Sequence, residues 1–413
     1  MRAICCLAIG VLAASVTLFC GGAAAEEKPV KLGAMFISSG KMGGYGKHGA
    51  QAIQLAVEEI NAAGGILGRK LEATTEDTQL NKERTIEIAK RFILTDKVDF
   101  LMGPTSSGLA MTLLDIAKEH KKILIATQAA TDALTGANFS PYLFSTLSNA
   151  MMHSRSGAYL MANKPYKRWM VVGPDYNYGH SSWEMFITKL KELKPDVEVV
   201  GEVFPKFMAT DYSAAIQEVM KIKPDAVWCP LWGGDSVAFI KQALPTGLFD
   251  QVKFAFPVGG ALETLIPVGK DMPEGIFMST RYLFTTPDSA LNRGFVKAYK
   301  ERFNEYPDYM AGETYAGVTF IKAAVERAGS TDAEKIIAAV EKEPLAWESP
   351  EGWKIMRAED HSVVEDCLWG ETVFSEAYGF PVLKNIHYVP AEEICRTPEE
   401  LKAVREGYRK GLQ

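Results

Sequence analysis

Two clusters of small and hydroxyl-bearing residues each follow a short apolar run in this sequence. Thr105-Ser106-Ser107-Gly108 comes after the run at 100–103, and Ala129-Ala130-Thr131 comes shortly after the run at 123–126. The first cluster opens an amphipathic helix pattern, and a helix start offers unpaired backbone N–H groups beside its hydroxyls. This chemistry suits a small anion such as a carboxylate. The alternative is that the hydroxyls only cap the helix.

The elements around these clusters predict an α/β fold. Short apolar runs are typical of buried parallel strands, and ligands in open α/β sheets lie at the carboxyl ends of neighbouring strands. Strands and helices alternate from residue 31 to 126, which predicts a parallel sheet with helices on both faces. A second series of the same kind runs from 151 to 257. The sequence therefore predicts two similar Rossmann-like lobes.

Three helix patterns in a row, at 290–303, 312–328 and 332–341, are too many for the second sheet alone. We expect some of them to pack back on the first lobe. The stretch around Pro344, Trp347, Pro350 and Gly352 is interpreted as another crossover. The chain would then cross between lobes near Leu147, Ser279 and His361. This predicts a three-crossing hinge, with lobe one at 28–147 and 280–361 and lobe two at 148–279 and 362–413.

The N-terminus predicts export. Arg2 precedes an apolar stretch at 4–19, and Ala23-Ala24-Ala25 precedes two acidic residues, which is typical of a secretory signal peptide cleaved after Ala25. Phe19 argues against a lipid-modified Cys20, since lipoprotein signals place a small residue there. The remaining chain carries no run long enough for a membrane helix. Its net charge of −6 gives no basic excess for nucleic acid, so no nucleic-acid partner is expected.

Three cysteines remain after removal of the signal peptide. In an exported protein an odd count suggests one disulfide and one leftover thiol. Cys229 lies in an apolar run and is expected to be the buried free thiol. We therefore predict a Cys367–Cys395 disulfide that fastens the C-terminal segment.

Motifs for enzymatic chemistry are missing from the sequence. The six histidines do not pair at metal-ligand spacing, and neither HExxH nor GxSxG occurs. The glycine-rich stretch at 40–46 lacks the Lys-Ser/Thr of a phosphate loop and the spacing of a dinucleotide fingerprint. Asp175 and Asp235 are conceivable general bases, but neither has a nucleophile beside it. We therefore expect no enzymatic activity, no cofactor and no metal site.

Several motifs resemble the periplasmic leucine/isoleucine/valine-binding protein family. The run NAAGGILGRKL at 61–71 matches the family's NxxGGIxGxxL pattern. Its Gly-x-x-Ser-Ser turn is matched at 103–107, and its D-x-x-YG element at 175–179. The similarity in order and spacing spans essentially the whole mature chain. It implies a type I periplasmic binding protein fold and a solute-binding protein of an ABC importer. It also implies a periplasmic location and an inner-membrane permease as partner, and we expect a monomer.

The resemblance also implies site residues. Ser107 and the loop Ala129-Ala130-Thr131 match positions that hold an amino acid's carboxylate, Tyr45 matches an aromatic that closes over the ligand, and Trp232 matches an aromatic of the second lobe. Tyr178 and Tyr282 are further candidates for an aromatic wall, although each aromatic could be ordinary packing. The complete candidate set is Tyr45, Ser106, Ser107, Ala129, Ala130, Thr131, Tyr178, Trp232, Val258, Gly259 and Tyr282.

One position departs from the family pattern. The family's Pro-Glu-Gly, whose glutamate binds the ligand's ammonium group, is Pro257-Val258-Gly259 here. Valine cannot balance a desolvated ammonium group, although Asp235 or Glu263 could substitute. The expected ligand is therefore an aromatic or branched organic acid without an α-amino group. Two alternatives remain: a binding protein for branched-chain or other hydrophobic amino acids, and an exported ligand sensor that partners a signalling receptor.

Overall fold

The computed structural model of the protein describes residues 28–411, so the signal-peptide prediction lies outside the described residues. The first part of the chain builds a sheet of parallel strands in the order β2-β1-β3-β4-β5. Its strands are β1 Val30–Phe36, β2 Leu71–Asp77, β3 Phe100–Met102, β4 Ile123–Ala126 and β5 Leu143–Ser145. Its helices are α1 Gly43–Ala62, α2 Lys82–Leu94 and α3 Ser107–Glu119.

Local sequence explains why α2 packs where it does. Asn81 caps the helix, since its side-chain oxygen accepts a hydrogen bond from the Arg84 N–H at 2.8 Å. Ile88 and Phe92 are buried on one face of the helix. A Cβ atom at Gly33 of β1 would overlap the Phe92 ring, so glycine is needed for this close approach of helix and strand.

The middle of the chain builds a second βα series. Its strands are β6 Arg168–Val172, β7 Glu198–Val203, β8 Ala226–Trp228, β9 Lys253–Phe256 and β10 Phe277–Thr280. Its helices are α4 Ala150–Ala162, α5 Asn177–Leu193, α6 Ser213–Ile222, α7 Gly233–Ala243, α8 Leu248–Gln251 and α9 Leu262–Val268. Two parallel-sheet lobes are therefore present, as the sequence predicted.

The last part of the chain contributes helices and strands to both lobes. Its helices are α10 Ala290–Phe303, α11 Tyr309–Ala328, α12 Ala333–Lys342, α13 Ala391–Ile394 and α14 Pro398–Gly411. Its strands are β11 Leu345–Ser349, β12 Gly352–Met356, β13 Val363–Val364, β14 Cys367–Ser375 and β15 Phe380–Val389. Helices α10 and α11 pack against α1, which agrees with the expectation that they return to the first lobe. The hairpin β14–β15 joins the second sheet, whose order is β15-β14-β10-β9-β8-β6-β7.

Two features of this last part differ from the sequence-based interpretation. The stretch 344–352, interpreted as a crossover, is largely the hairpin β11–β12, in which Leu345, Trp347 and Ser349 are buried in strict alternation. The strand predicted at 363–369 is two strands, because β13 pairs with β12 while β14 pairs with β10. The chain therefore passes from the small sheet to the second sheet between these strands, shortly after His361. The lobe boundaries given above remain a prediction.

The predicted Cys367–Cys395 disulfide is not present, since Cys229, Cys367 and Cys395 are all free thiols. Cys367 is buried in an apolar cluster against which Cys395 packs. Burial raises the pKa of the Cys367 thiol far above its ordinary value and that of Cys395 to about 11. Both groups therefore stay protonated, whereas disulfide chemistry requires a thiolate. Within residues 28–411, no helix is both long and apolar enough to span a membrane.

Candidate functional site

The two hydroxyl clusters meet at the carboxyl edge of the first sheet. β3 and β4 are hydrogen-bonded neighbours, so the loops that follow them lie side by side. The Ser107 Oγ accepts a hydrogen bond from the Thr131 N–H at 3.2 Å. Ser106, Ser107 and Thr131 are partly buried, whereas Ala129 and Ala130 are buried. The rim that these residues form, called the hydroxyl rim below, is at the sheet edge where the strand-end rule predicts a ligand.

The simple capping interpretation explains little of this rim. Ser106 is the N-cap residue of α3 by its backbone, but its side chain makes no capping hydrogen bond. Thr131 does act as a cap, since its hydroxyl oxygen accepts from the Ala133 N–H at 3.4 Å. Among the described residues, the Ser107 hydroxyl serves as an acceptor, so its proton is available for an anion.

Gln128 is a rim residue that the sequence interpretation missed. It is buried, accepts a hydrogen bond from the Thr105 hydroxyl at 2.7 Å and donates one to the Tyr45 backbone oxygen at 3.3 Å. The side chain therefore ties the loop after β4 to α1 and fixes the position of Tyr45. Its position directly before Ala129, just past an apolar strand, was the available signal.

The predicted aromatic residues Tyr45 and Trp232 come from different lobes and touch. Their ring centroids lie 5.3 Å apart, edge to face, and Tyr45 is only 3% exposed. Trp232 is held from behind, because its Nε1 donates to the Tyr176 hydroxyl at 2.9 Å and its ring stacks on Phe207. The contact between Tyr45 and Trp232 closes the space between the lobes.

A buried arginine, Arg281, is the principal residue that the sequence interpretation missed. It follows β10 directly, its side chain is 6% exposed, and its guanidinium carbon lies 5.3 Å from the centre of the Tyr309 ring. Burial by itself lowers the pKa of Arg281, but Glu313 and the nearby tyrosines Tyr309, Tyr178 and Tyr45 raise it above its ordinary value. The guanidinium is therefore charged. The sequence feature that could have identified Arg281 was its position at the end of an apolar strand.

The charge partner of Arg281 is Glu313 of α11, and the pairing is loose. The Arg281 Nε lies 3.7 Å from the Glu313 Oε1, and neither this nitrogen nor either carboxyl oxygen makes a hydrogen bond among the described residues. Glu313 is completely buried. Burial raises the pKa of Glu313 well above its ordinary value, and Arg281 only partly opposes this. The site thus contains a cation and a carboxyl group that are both under-satisfied.

Several tyrosines lie near Arg281. Burial raises the pKa of Tyr45 well above its ordinary value, and its hydroxyl interacts with that of Tyr309. Burial raises the pKa of Tyr178 to about 12 while the charge of Arg281 lowers it, which places this predicted residue beside the guanidinium. Tyr45, Tyr178 and Tyr309 all act on the pKa of Arg281. A cation with aromatic neighbours therefore lies where the two sheets face each other.

Tyr282, predicted as part of the aromatic wall, is instead a packing residue. Its hydroxyl donates to the Asn292 Oδ1 at 2.7 Å, and its ring packs on Phe295 and against the Cα of Gly312, where a Cβ would overlap it. The reason is that α10 and α11 close over this side chain. Val258 and Gly259 are buried in the loop after β9, the neighbour of β10, so they do belong to the same sheet edge as Arg281.

Neither suggested substitute for the missing glutamate is an open carboxylate. The Asp235 Oδ2 accepts a hydrogen bond from the Met208 N–H at 2.9 Å, and its side chain is buried in the second lobe. Burial raises the pKa of Glu263 to about 8, so this group is mostly protonated at neutral pH. Glu263 also packs against Gly44 of α1.

Asp308 forms a hydrogen-bonded link between the lobes. It caps α11, since its Oδ1 accepts from the Tyr309 N–H at 2.7 Å. The same carboxylate accepts from the N–H groups of Leu262 and Glu263 at 3.1 Å and 3.0 Å, at the start of α9. Helix α11 packs on the first lobe and α9 on the second. One carboxylate therefore caps the N-termini of two helices that belong to different lobes.

Comparisons with known proteins agree with this architecture. The periplasmic binding protein family profile matches residues 29–373. The Leu/Ile/Val-binding protein homolog 7 of Brucella suis biovar 1 is 26% identical over 338 residues, covering 79% of this chain and 84% of that protein. The leucine-, isoleucine-, valine-, threonine- and alanine-binding protein of Pseudomonas aeruginosa is 23% identical over 317 residues, covering 76% and 82%.

A solved structure shows the same fold. It is a solute-binding protein of an ABC transporter from Rhodopseudomonas palustris BisB5 in complex with 3,4-dihydroxybenzoic acid. The TM-score is 0.79 at 23% sequence identity, and the match covers 90% of this chain and 99% of that chain. The type I arrangement of two parallel-sheet lobes is common to both.

Proposed function

Since the chain belongs to the periplasmic binding protein family, and is therefore a solute-binding protein and not an enzyme, we propose that it captures a small organic acid between its lobes. We propose further that it hands this acid to an ABC permease in the inner membrane. Membership of the family also implies a periplasmic location. The preferred ligand class is an aromatic or branched carboxylate without an α-amino group.

The observation that carries the ligand class is Arg281. A buried guanidinium without good hydrogen bonds is under-satisfied, and a carboxylate is the group that matches its planar, forked geometry. The adjacent rings of Tyr45 and Tyr178 suit a flat or apolar ligand body. The buried hydroxyls of Tyr45 and Tyr309 interact with each other, and one proton of this pair remains available as a further donor to such a ligand.

The hydroxyl rim supports the same class of ligand. Ser107 retains a donor proton, and the rim residues lie at the carboxyl edge of the first sheet. Val258 supports the absence of an α-amino group, since the loop after β9 supplies no carboxylate. The R. palustris protein that binds 3,4-dihydroxybenzoic acid is a precedent for an aromatic acid in this fold.

The proposed mechanism is hinge closure, for which periplasmic binding proteins are a standard example. The first lobe engages the carboxylate while the cleft is open. Closure then brings Trp232 against Tyr45 and the start of α9 onto Asp308. The ligand shifts the equilibrium only by the contacts that it gains in the closed state, and Arg281 with its aromatic neighbours is the main source of these.

A thermal-shift screen of the chain from residue 26 onward tests the proposal. Benzoate and 3,4-dihydroxybenzoate should raise the melting temperature, because a ligand at 100 times its Kd stabilises the folded state by about 2.7 kcal/mol. Benzamide is the matched control, since it has the same shape without the negative charge. Stabilisation by leucine or valine, and by no carboxylate that lacks an amino group, would overturn the proposed ligand class.

The second candidate, binding of a hydrophobic amino acid, is favoured by one observation. Glu313 is a buried carboxyl group with unused acceptor capacity, and an ammonium group would satisfy it in place of the missing family glutamate. In that case Glu313→Gln should abolish leucine binding. The acid proposal predicts instead that this variant still binds benzoate.

A further inference from the structure

Five ionisable side chains form one buried cluster between the cleft and the hinge. Their side-chain exposure ranges from 0% to 9%. Two are cations and three are carboxyl groups, so the cluster has one carboxyl group more than its cations can balance. The members are Arg281, Glu313, Glu351, Lys354 and Glu365.

Glu313 and Glu351 are the weakly satisfied carboxyl groups, since none of their side-chain oxygens makes a hydrogen bond among the described residues. Lys354 contacts both Glu351 and Glu365, so these two carboxylates share a close cation. Glu313 has Arg281 at 3.7 Å, without a hydrogen bond, and Lys354 acts on it from farther away. Because an unbalanced buried charge is costly, the group with the weakest partner is the one that holds a proton most readily. Glu313 is therefore the carboxyl group whose protonation depends most on Arg281, while burial raises the pKa of Glu351, beside Lys354, to about 7.

Within residues 28–411, Arg281 is the cation in contact with Glu313, and it is also the proposed partner of the ligand. We infer that Glu313 shares Arg281 with the ligand's carboxylate and takes up one proton from solvent when an organic acid binds. This inference rests on the proposed function. A second anion on the same guanidinium removes the counter-charge that keeps Glu313 ionised, and the proton restores the balance.

The ionisable groups around Glu313 and Arg281 come from several neighbouring elements. Around Glu313 they are Tyr309 on its own helix, Arg281 after β10, Glu351 and Lys354 of the β11–β12 hairpin, and Glu365 before β14. Around Arg281, besides Glu313, they are Tyr45, Tyr176, Tyr178, Tyr309, His153 and Glu351. Burial lowers the pKa of His153 well below its ordinary value, so this histidine is neutral and adds no charge.

The sign of the effect follows from linkage. Ligand binding raises the pKa of Glu313, so binding is favoured at low pH and weakens as pH rises between the pKa without ligand and the higher pKa with ligand. Within that window the Kd for benzoate should increase about tenfold per pH unit. Below the window Glu313 is already protonated, and no uptake is expected.

Isothermal titration of the mature protein with benzoate measures the uptake. The binding enthalpy is compared in phosphate and Tris buffers, whose ionisation enthalpies differ, at several values between pH 6 and 9. If benzoate does not bind, the tightest acid of the thermal-shift screen replaces it. The wild type should take up a fraction of a proton that rises with pH toward one.

Two variants make the test specific. Glu313→Gln should bind benzoate with the largest part of this uptake lost, and with a Kd that varies less with pH. Glu326→Gln, an exposed change on the same helix, should keep the wild-type uptake. Burial also raises the pKa values of Glu263 and Glu351, so the difference between wild type and Glu313→Gln, rather than the total, measures Glu313.

The outcomes are distinguishable. Zero uptake at every pH in the wild type, or equal uptake in wild type and Glu313→Gln, overturns the inference and leaves the acid-binding function standing. Failure of every organic acid to bind overturns the proposed function, and the inference with it. If Glu313→Gln does not fold, Glu313→Met replaces it in the same comparison with the wild type.

Discussion

The buried ion cluster divides into two smaller clusters, one around Lys354 and one around Arg281, which are equally buried but whose cations are differently satisfied. Lys354 contacts Glu351 and Glu365 directly. Arg281 and Glu313 stand 3.7 Å apart, with the Arg281 Nε and both carboxyl oxygens lacking hydrogen bonds. The cation of the first cluster contacts two carboxylates of the protein, whereas the cation of the second has a single, loosely placed carboxyl partner and unused binding capacity. Buried charges that the fold itself does not satisfy are candidates for function, and this contrast assigns structure to one cluster and ligand binding to the other.

The position of Lys354 explains its structural role. Its Nζ also donates to the Thr146 backbone oxygen at 3.3 Å, just after β5. Glu365 lies between β13 and β14. The ammonium group therefore joins two of the segments that the sequence predicts as crossings between the lobes.

The largest expected effect is on stability, from Lys354→Met. This change leaves two buried carboxyl groups without their cation and should lower the free energy of unfolding by about 3–5 kcal/mol. Urea denaturation followed by fluorescence measures it. Lys322→Met, which breaks only the surface pair with Glu326, should cost less than about 1 kcal/mol. Equal effects of the two variants would remove the contrast between the clusters.

The next effect is on binding, from Arg281→Met. Benzoate affinity should fall by at least about 2 kcal/mol, roughly thirtyfold, because the charge-assisted hydrogen bonds of the carboxylate are lost. Stability should change by only about 1 kcal/mol, since Glu313 can protonate. Titration calorimetry and urea denaturation give the two numbers. Arg293→Met removes an exposed arginine and should change neither. A stability loss as large as that of Lys354→Met would make Arg281 structural.

A third variant, Asp308→Ala, tests whether the hydrogen bonds from Asp308 to the other lobe favour closure of the lobes. It leaves the N–H groups of Leu262 and Glu263 without their acceptor in the closed form only. Benzoate affinity should fall by about 1–2 kcal/mol, and small-angle scattering with ligand present should show a more open average shape. Asp332→Ala, which uncaps α12, should reduce stability by about 1 kcal/mol and leave affinity unchanged. The same affinity in both variants would show that the Asp308 link does not bias closure.

The smallest expected effect is that of Ser107→Ala. Loss of one neutral hydrogen bond to the carboxylate should weaken benzoate binding by about 1 kcal/mol, with the fold intact. Thr112→Ala, on the same helix and away from the rim, is the control for helix stability. Unchanged affinity in Ser107→Ala would mean that this hydroxyl serves only the Thr131 N–H.

The rule that ligands lie at the carboxyl ends of strands predicted those features of the site that depend on sheet topology. The meeting of Ser107 with Thr131 followed from two adjacent apolar strands, since neighbouring parallel strands deliver their loops to one edge. The family resemblance named Tyr45 and Trp232 separately as candidates, and the structure brings their rings into contact. Both rest on the order of elements, which the alternation of apolar runs and helix patterns encodes directly.

The ionic half of the site depends on tertiary burial, which local pattern does not encode. In the sequence, Arg281 follows a strand and Glu313 lies in a helix. Neither position differs by local pattern from that of an exposed charged residue. They are buried because α11 lies between α1 and β11, so that nearly all of its faces are covered. Tyr282 was misassigned for the same reason, since only the packing of α10 and α11 reveals that Asn292 takes its hydroxyl.

The placement of β14 and β15 has a consequence for the biogenesis of the protein. Five strands of the second sheet are complete by residue 280, but the sheet's next strand begins at Cys367. Until then β10, with its buried Phe277 and Met278, presents an unpaired edge. Because the chain is synthesised from the N-terminus, this unpaired edge stays open to association with other strands until three further helices have been made. Truncation before Cys367 should yield aggregates rather than a smaller soluble lobe.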